Sequence, residues 1–132
     1  MNRRIAAVGP ASPDVVWDRY IHPERWSGWS PQIRGVDCAD SPVRAGTRGR
    51  VHGPLGVGVD FEVLDVDHEK RCWEWRVALP GGICLTLGHA VEQRGTGTRT
   101  TLDVAGPAPI VLGYAPVAYL ALTRLVRSSH PA

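Results

Sequence analysis

From Val104 to Thr123 the chain runs for twenty residues, VAGPAPIVLGYAPVAYLALT, without one charged side chain. Asp103 precedes the run, and Arg124 and Arg127 follow it. The length alone would suit a membrane span. Three prolines (Pro107, Pro109, Pro116) and two glycines (Gly106, Gly113) tell against that, because both residue types weaken or break a helical hydrogen-bond ladder. Pro107 and Pro109 suit a helix entry instead, and Arg124 and Arg127 suit the negative end of a helix dipole. The run predicts a soluble helix over about Pro109–Arg127, kinked near Pro116 and apolar almost all the way round. Such a helix is either covered on every side or leaves an apolar surface for a ligand or partner.

The remaining sequence has to supply that cover. At 132 residues it is long enough for one domain with its own core. The net charge is +2 and the basic residues are scattered, whereas a nucleic-acid binder concentrates them on one face. The N-terminal MNRRIAAVGPASPD carries basic residues but too short an apolar run for a signal peptide. Three cysteines (Cys38, Cys72, Cys84) without CxxC spacing fit a reduced, cytoplasmic setting, and no zinc-ligand pattern is present. No cofactor motif is found: GPLGVG at 53–58 is glycine-rich but has no helix behind it to hold a phosphate.

In chain order, Arg4–Val8 reads as a first strand ended by Gly9-Pro10. Ser12 then stands as the N-cap of a helix over Pro13–Tyr20, with Val16, Trp17 and Tyr20 on one face. A second short helix starts at His22-Pro23-Glu24, carries Trp26 and stops at Ser27-Gly28, with Trp29-Ser30-Pro31 as a turn. From Ile33 to Val104 the period changes to two. Strands are predicted at Val36–Asp40, Thr47–His52, Val57–Val66, Arg71–Ala78, Ile83–Gln93 and Thr98–Val104, with a bulge at Leu64. Their short glycine- and proline-rich connections make an antiparallel meander. Trp73, Trp75 and Val77 alternate with Glu74 and Arg76, while Leu85, Leu87, His89 and Val91 share a face, so the sheet has one apolar side. A curved sheet gripping the apolar helix satisfies both surfaces. With few large residues available, the space between them becomes a ligand pocket.

Four segments carry a family resemblance: SPDVVWDRYIHPERWSGWSPQI (12–33), RAGTRGRVHGPLG (44–56), FEVLDVDHEKRCWEWRVALPGG (61–82) and GHAVEQRGTGTRTTL (88–102). Their order and spacing resemble the polyketide cyclase/dehydrase group of the START-like (SRPBCC, helix-grip) superfamily, across nearly the whole chain. The resemblance implies an α+β domain over residues 1–132. In it a curved seven-stranded antiparallel sheet surrounds a long C-terminal helix, with two short helices between strands 1 and 2. It also implies a deep cavity for an apolar molecule, and in some members aromatic cyclisation or dehydration. The family has no universal catalytic residue to transfer. His22 replaces the usual Asp before Pro23, and the C-terminal helix is richer in proline than is usual there.

His89 is the one ionisable group on an inward strand face, where burial would keep its imidazole neutral and able to accept a proton. The bland alternative is a core histidine bonded to a carbonyl or a tyrosine. Tyr114 and Tyr119 are five apart on the helix and point different ways; Tyr114 shares a stripe with Ile110, Val117, Ala121 and Leu125 and is the expected partner of His89. The expected ligand-binding set is Trp26, Trp29, Phe61, Trp73, Trp75, Leu87, Val117 and Ala121, with Trp26 and Trp29 over the cavity mouth. His22, His52 and His68 fall at turns or outward positions and are assigned no ligand role. Three functions follow: an acid/base enzyme acting on an aromatic or polyketide-like substrate, which an acyl carrier protein could present; a non-catalytic carrier or sensor; and a homodimer built on the apolar helix. The resemblance supports the fold and the cavity and not a reaction; the enzyme is the leading expectation, with the carrier or sensor as its alternative.

Overall fold

The computed structural model describes residues 1–127. Seven strands form one antiparallel sheet: β1 (Asn2–Gly9), β2 (Gly35–Cys38), β3 (Arg48–His52), β4 (Gly58–Asp67), β5 (Cys72–Leu79), β6 (Ile83–Arg94) and β7 (Gly97–Ala105). Their order is β1-β7-β6-β5-β4-β3-β2. The hairpins follow sequence order, and only β1 leaves it, pairing with β7 from Asn2↔Ala105 to Gly9↔Thr98. Between β1 and β2 come α1 (Pro13–Ile21), a 3-10 turn (Pro23–Arg25) and α2 (Trp26–Trp29); α3 (Ala108–Leu125) closes the fold. The curved sheet with a long C-terminal helix is the helix-grip architecture that the sequence predicts.

Boundaries differ from the expected ones for local reasons. Trp26 opens α2 and the helical turn runs on through Gly28 to Trp29, closed by a Ser30 N–H to Trp26 carbonyl bond of 2.9 Å. β2 spans only Gly35–Cys38, with Asp37 outward and Val36 and Cys38 half-buried. Val57 lies outside β4, half exposed, because the chain makes a 3-10 turn at Pro54–Gly56 in which Leu55 adopts a left-handed φ of 60°. The bulge falls at Leu64: Val63 pairs with Trp75 and Asp65 with Glu74. α3 runs through Pro116 as one element.

The two long-range anchors of α3 come from the first twenty residues. Ser12 Oγ accepts from the Val15 N–H at 3.3 Å and starts α1. From the last turn of α1, the Arg19 guanidinium donates to the Leu125 carbonyl at 2.6 Å and to the Arg127 carbonyl at 3.3 Å. It thereby satisfies carbonyls at the end of α3 that no helical N–H can reach. The Ala11 N–H bonds the Val126 carbonyl at 3.1 Å. The Val126 backbone passes so close to Gly9 that a Cβ on that glycine would overlap its carbonyl.

Of the two outcomes open to an all-round apolar helix, α3 takes the second and leaves an apolar surface. Val111, Ala118, Ala121, Leu122 and Leu125 are buried, whereas Leu112, Val117, Tyr119 and Leu120 are 37–54 % exposed. A sheet curves round one side of a helix only, and no second layer lies outside α3 among the described residues. The outer sheet face is polar as its alternation requires: Arg48 and Arg76 flank Glu62 at 3.5 and 3.2 Å, and Arg50 pairs with Asp60 at 2.8 Å.

Replacing Gly9 with Ala should destabilise the fold by about 2–3 kcal/mol in urea denaturation, since backbone has to move to admit the methyl. Gly35→Ala, whose Cβ would meet nothing within 4 Å, is the matched control and should stay within about 0.5 kcal/mol.

Candidate functional site: an uncharged cavity under the C-terminal helix

A cavity of about 410 Å³ lies between α3 and the inner faces of β3–β7, with the α2 segment closing one side. Its size falls within the ordinary range for small-molecule sites. Alternation on β5 and β6 delivers Trp73, Trp75, Leu87 and His89 to its wall, and the cross-strand register sets His89 opposite Trp73 and Leu87 opposite Trp75. From α3 come Ile110, Tyr114, Ala118, Ala121 and Leu122. From the α2 segment come Trp26, Trp29, Ser30 and Gln32.

Most of the bulk crowds into one aromatic cluster. Trp26 stacks on Trp73 at 5.8 Å between centroids and meets Trp75 edge-on at 5.0 Å. Trp26 itself is only 1 % exposed and its indole N–H donates to the Tyr20 carbonyl at 2.8 Å. It is therefore an interior wall and not a side chain at the rim. Trp29 is half-buried, donates to the Arg19 carbonyl at 3.2 Å and stands edge-on to Tyr20 at 5.7 Å.

Two expected cavity residues are not there. Phe61 is buried on β4, edge-on to Trp75 at 5.1 Å and tilted against Trp26 at 5.5 Å. Its ring packs against both tryptophans and does not line the cavity. Val117 is 37 % exposed and faces away from the cavity. The buried arc of α3 is centred on Val111, Ala118, Leu122 and Leu125, so the next residue, Ala118, occupies the inward position. Leu125 is buried but not in the cavity lining. Tyr119 points outward, as expected.

Gln32, Ser30, Ala118 and Leu122 were not legible as cavity residues. Ser30 and Gln32 follow α2 in an irregular segment, where neither period fixes a direction. Gln32 Nε2 donates to the Tyr114 hydroxyl at 3.4 Å, while Gln32 Oε1 is buried without a partner.

His89 is 7 % exposed, stacked on Trp73 at 4.4 Å and 12°, with Tyr20 edge-on at 5.0 Å. Burial pushes its pKa down to about 3, and the Asp103 charge and a backbone hydrogen bond at Trp73 offset only part of that. The imidazole is neutral throughout the physiological range, and its Nδ1 has no hydrogen-bond partner. The adjacent Tyr20 is committed elsewhere: Thr100 Oγ1 donates to the Ala90 carbonyl at 2.9 Å, so the 2.5 Å contact between the two hydroxyls has Tyr20 as its donor. Burial raises the Tyr114 pKa, and its bond from Gln32 lowers it by less. The other histidines have structural partners: Trp17 donates to His68 at 3.2 Å, His22 contacts the Asp18 carbonyl at 2.8 Å, and His52 meets Asp37 at 2.6 Å. No Asp, Glu, Lys or Arg lines the cavity among the described residues.

A curved sheet, a gripping helix and an apolar hollow between them define the helix-grip class. The family model for polyketide cyclase / dehydrase and lipid transport matches residues 6–129, and the chain belongs to that family. No curated protein sequence matches it. Among solved structures, the chain superposes on the di-domain ARO/CYC BexL of the BE-7585A biosynthetic pathway with a TM-score of 0.80 and 15 % identity. That match covers 96 % of this chain and 45 % of BexL. Ara h 8.0201 gives 0.77 at 11 % identity, covering 95 % of this chain and 94 % of its own. Major latex-like protein 151 of Panax ginseng gives 0.75 at 15 %, covering 96 % and 94 %. At these identities the likeness is one of fold.

The buried His89 carries a pH signature. An unfolded histidine takes up a proton near pH 6.5, whereas this folded one does so only near pH 3. Its contribution is therefore fully present above about pH 6.5 and is lost as pH falls toward 3. Measured as folding free energy, the wild type should lose about 2–3 kcal/mol more than His89→Gln between pH 7.5 and 4.5. Parallel pH profiles for the two proteins would contradict a buried neutral imidazole.

Proposed function

We propose that the protein binds a planar hydrophobic molecule, aromatic or polyketide-like, in the cavity under α3 and holds it out of water. The observation that carries this is an open volume of about 410 Å³ walled by Trp26, Trp73 and Trp75 on one side and by the small Ala118 and Ala121 on the other. Flat rings are matched by indole faces, and burying their surface is worth roughly 25 cal/mol per Å². Family membership and the fold shared with an ARO/CYC protein support an aromatic cargo.

Catalysed cyclisation or dehydration is the second reading, favoured by His89 and Tyr114 both lining the cavity. His89 with an unpartnered Nδ1 would receive a proton from an enolisable carbon, and Tyr114 would hydrogen-bond the carbonyl oxygen. A base whose pKa lies near 3 has little driving force for that step at neutral pH, so binding without turnover is the reading adopted.

Fluorene, a planar hydrocarbon, should bind with a dissociation constant in the micromolar range and change the tryptophan emission on titration. Ala118→Leu and Ala121→Leu, which fill the hollow, should each weaken fluorene at least about tenfold without loss of thermal stability. Unchanged emission and no retention of fluorene in equilibrium dialysis would rule out the cavity as a binding site.

A further inference from the structure

Besides the unpartnered Trp73 Nε1, Trp75 Nε1 and His89 Nδ1 of the aromatic wall, the cavity has a polar corner on the α3 side whose hydrogen-bonding capacity the protein does not use up. Gln32, from the segment after α2, and Tyr114, on α3, meet there at 3.4 Å, and both line the cavity. The hydroxyl accepts from Gln32 Nε2, and its own proton has no acceptor among the described residues. Gln32 Oε1 is buried and unpartnered. Turning the amide end for end lets Tyr114 donate to Oε1, but then the Nε2 hydrogens lose their acceptor. In either arrangement the pair keeps a donor with nothing among the described residues to receive it. A buried donor left so has lost its water without gaining a partner, a cost that a ligand oxygen would recover.

The same lining excludes charge. It contains no Asp, Glu, Lys or Arg among the described residues, and its histidine is neutral. An ionised ligand group would be desolvated there with no counter-ion, the most unfavourable arrangement for a charge.

Resting on the proposed binding function, we infer that the Gln32–Tyr114 pair is the polar anchor of the site. It selects uncharged planar ligands that carry a hydrogen-bond-accepting oxygen, such as aromatic ketones and quinones, over both the bare hydrocarbon and the carboxylate. Tyr114 touches the ligand oxygen, and Gln32 is a positioning residue that holds the hydroxyl toward it. The other unpartnered polar atoms of the wall, Trp73 Nε1, Trp75 Nε1 and His89 Nδ1, sit within the aromatic cluster, and the aliphatic side chains set shape.

The test compares three probes of one ring frame by equilibrium dialysis at pH 7.5: 9-fluorenone, fluorene and fluorene-9-carboxylate. Tyr114→Phe should weaken 9-fluorenone about tenfold and leave fluorene within about twofold, the difference being one hydrogen bond. Gln32→Leu should weaken 9-fluorenone about threefold through loss of orientation, again with fluorene unchanged. Fluorene-9-carboxylate should bind the wild type at least about a hundredfold more weakly than 9-fluorenone. Equal losses for ketone and hydrocarbon in both variants, or tight binding of the carboxylate, would overturn the anchor while leaving the cavity as a binding site. Absence of binding by fluorene and 9-fluorenone together would instead remove the reading on which the anchor rests. Fluorene also controls for folding, because a variant that misfolds loses both neutral probes together.

Discussion

The hollow depends on how the aromatic rings are held away from α3. Trp26, Trp73, Trp75, Phe61 and His89 make ring contacts with one another, at centroid distances from 4.4 to 6.5 Å. Their surface is buried by mutual stacking and edge-on contact, which adds to simple burial. Opposite them α3 presents Ala118 and Ala121, too short to cross the gap. Distance between helix and sheet is meanwhile set at the C-terminal end of α3, by Arg19 on the carbonyls of Leu125 and Arg127 and by the tight passage of Gly9 past Val126. A rod pinned at one end over a wall of rings packed on one another leaves volume that no side chain is placed to fill.

An uncharged lining has two electrical effects. It lowers the cost of holding a neutral apolar molecule, and it makes each polar atom in the wall stand out, since a low dielectric strengthens every hydrogen bond and penalises every missing one. Hence the few polar side chains, His89, Gln32, Tyr114 and Ser30, carry more of the selectivity than their share of the surface suggests. The outer sheet face is the opposite case: Arg48, Arg50 and Arg76 are mostly exposed, their ion pairs lie in water, and such pairs contribute little to stability.

Much of the fold was legible because its periods are unambiguous. Period two on β5 and β6 placed Trp73, Trp75, Leu87 and His89 on one face, and the uncharged run placed α3. Phe61 and Val117 show where pattern reading loses resolution. Alternation states that Phe61 faces inward, but not that its ring packs against Trp26 and Trp75 without lining the cavity. On a helix apolar nearly all round, hydrophobicity does not fix which arc is buried. Val117 and Ala118 are equally permissible by sequence, and the partner surface decides between them. Gln32 lies beyond any such pattern, since its direction is set by the tertiary course of an irregular segment.

The same burial that makes the site selective works against proton transfer within it. Removal from water disfavours whichever form of a group is charged, so it drives His89 down and Tyr114 up. The would-be base becomes a weaker base and the would-be acid a weaker acid, while efficient general catalysis wants both near the working pH. A catalytic cavity commonly offsets that divergence with a fixed charge beside one of the groups. Here the lining supplies none, and the one charge acting on His89, that of Asp103, recovers only part of the shift. Hydrogen bonding asks for less: a neutral imidazole nitrogen and an un-ionised phenol serve as acceptor and donor at any physiological pH. On these electrostatics rests the proposal that the site recognises and orients its ligand and does not exchange protons with it.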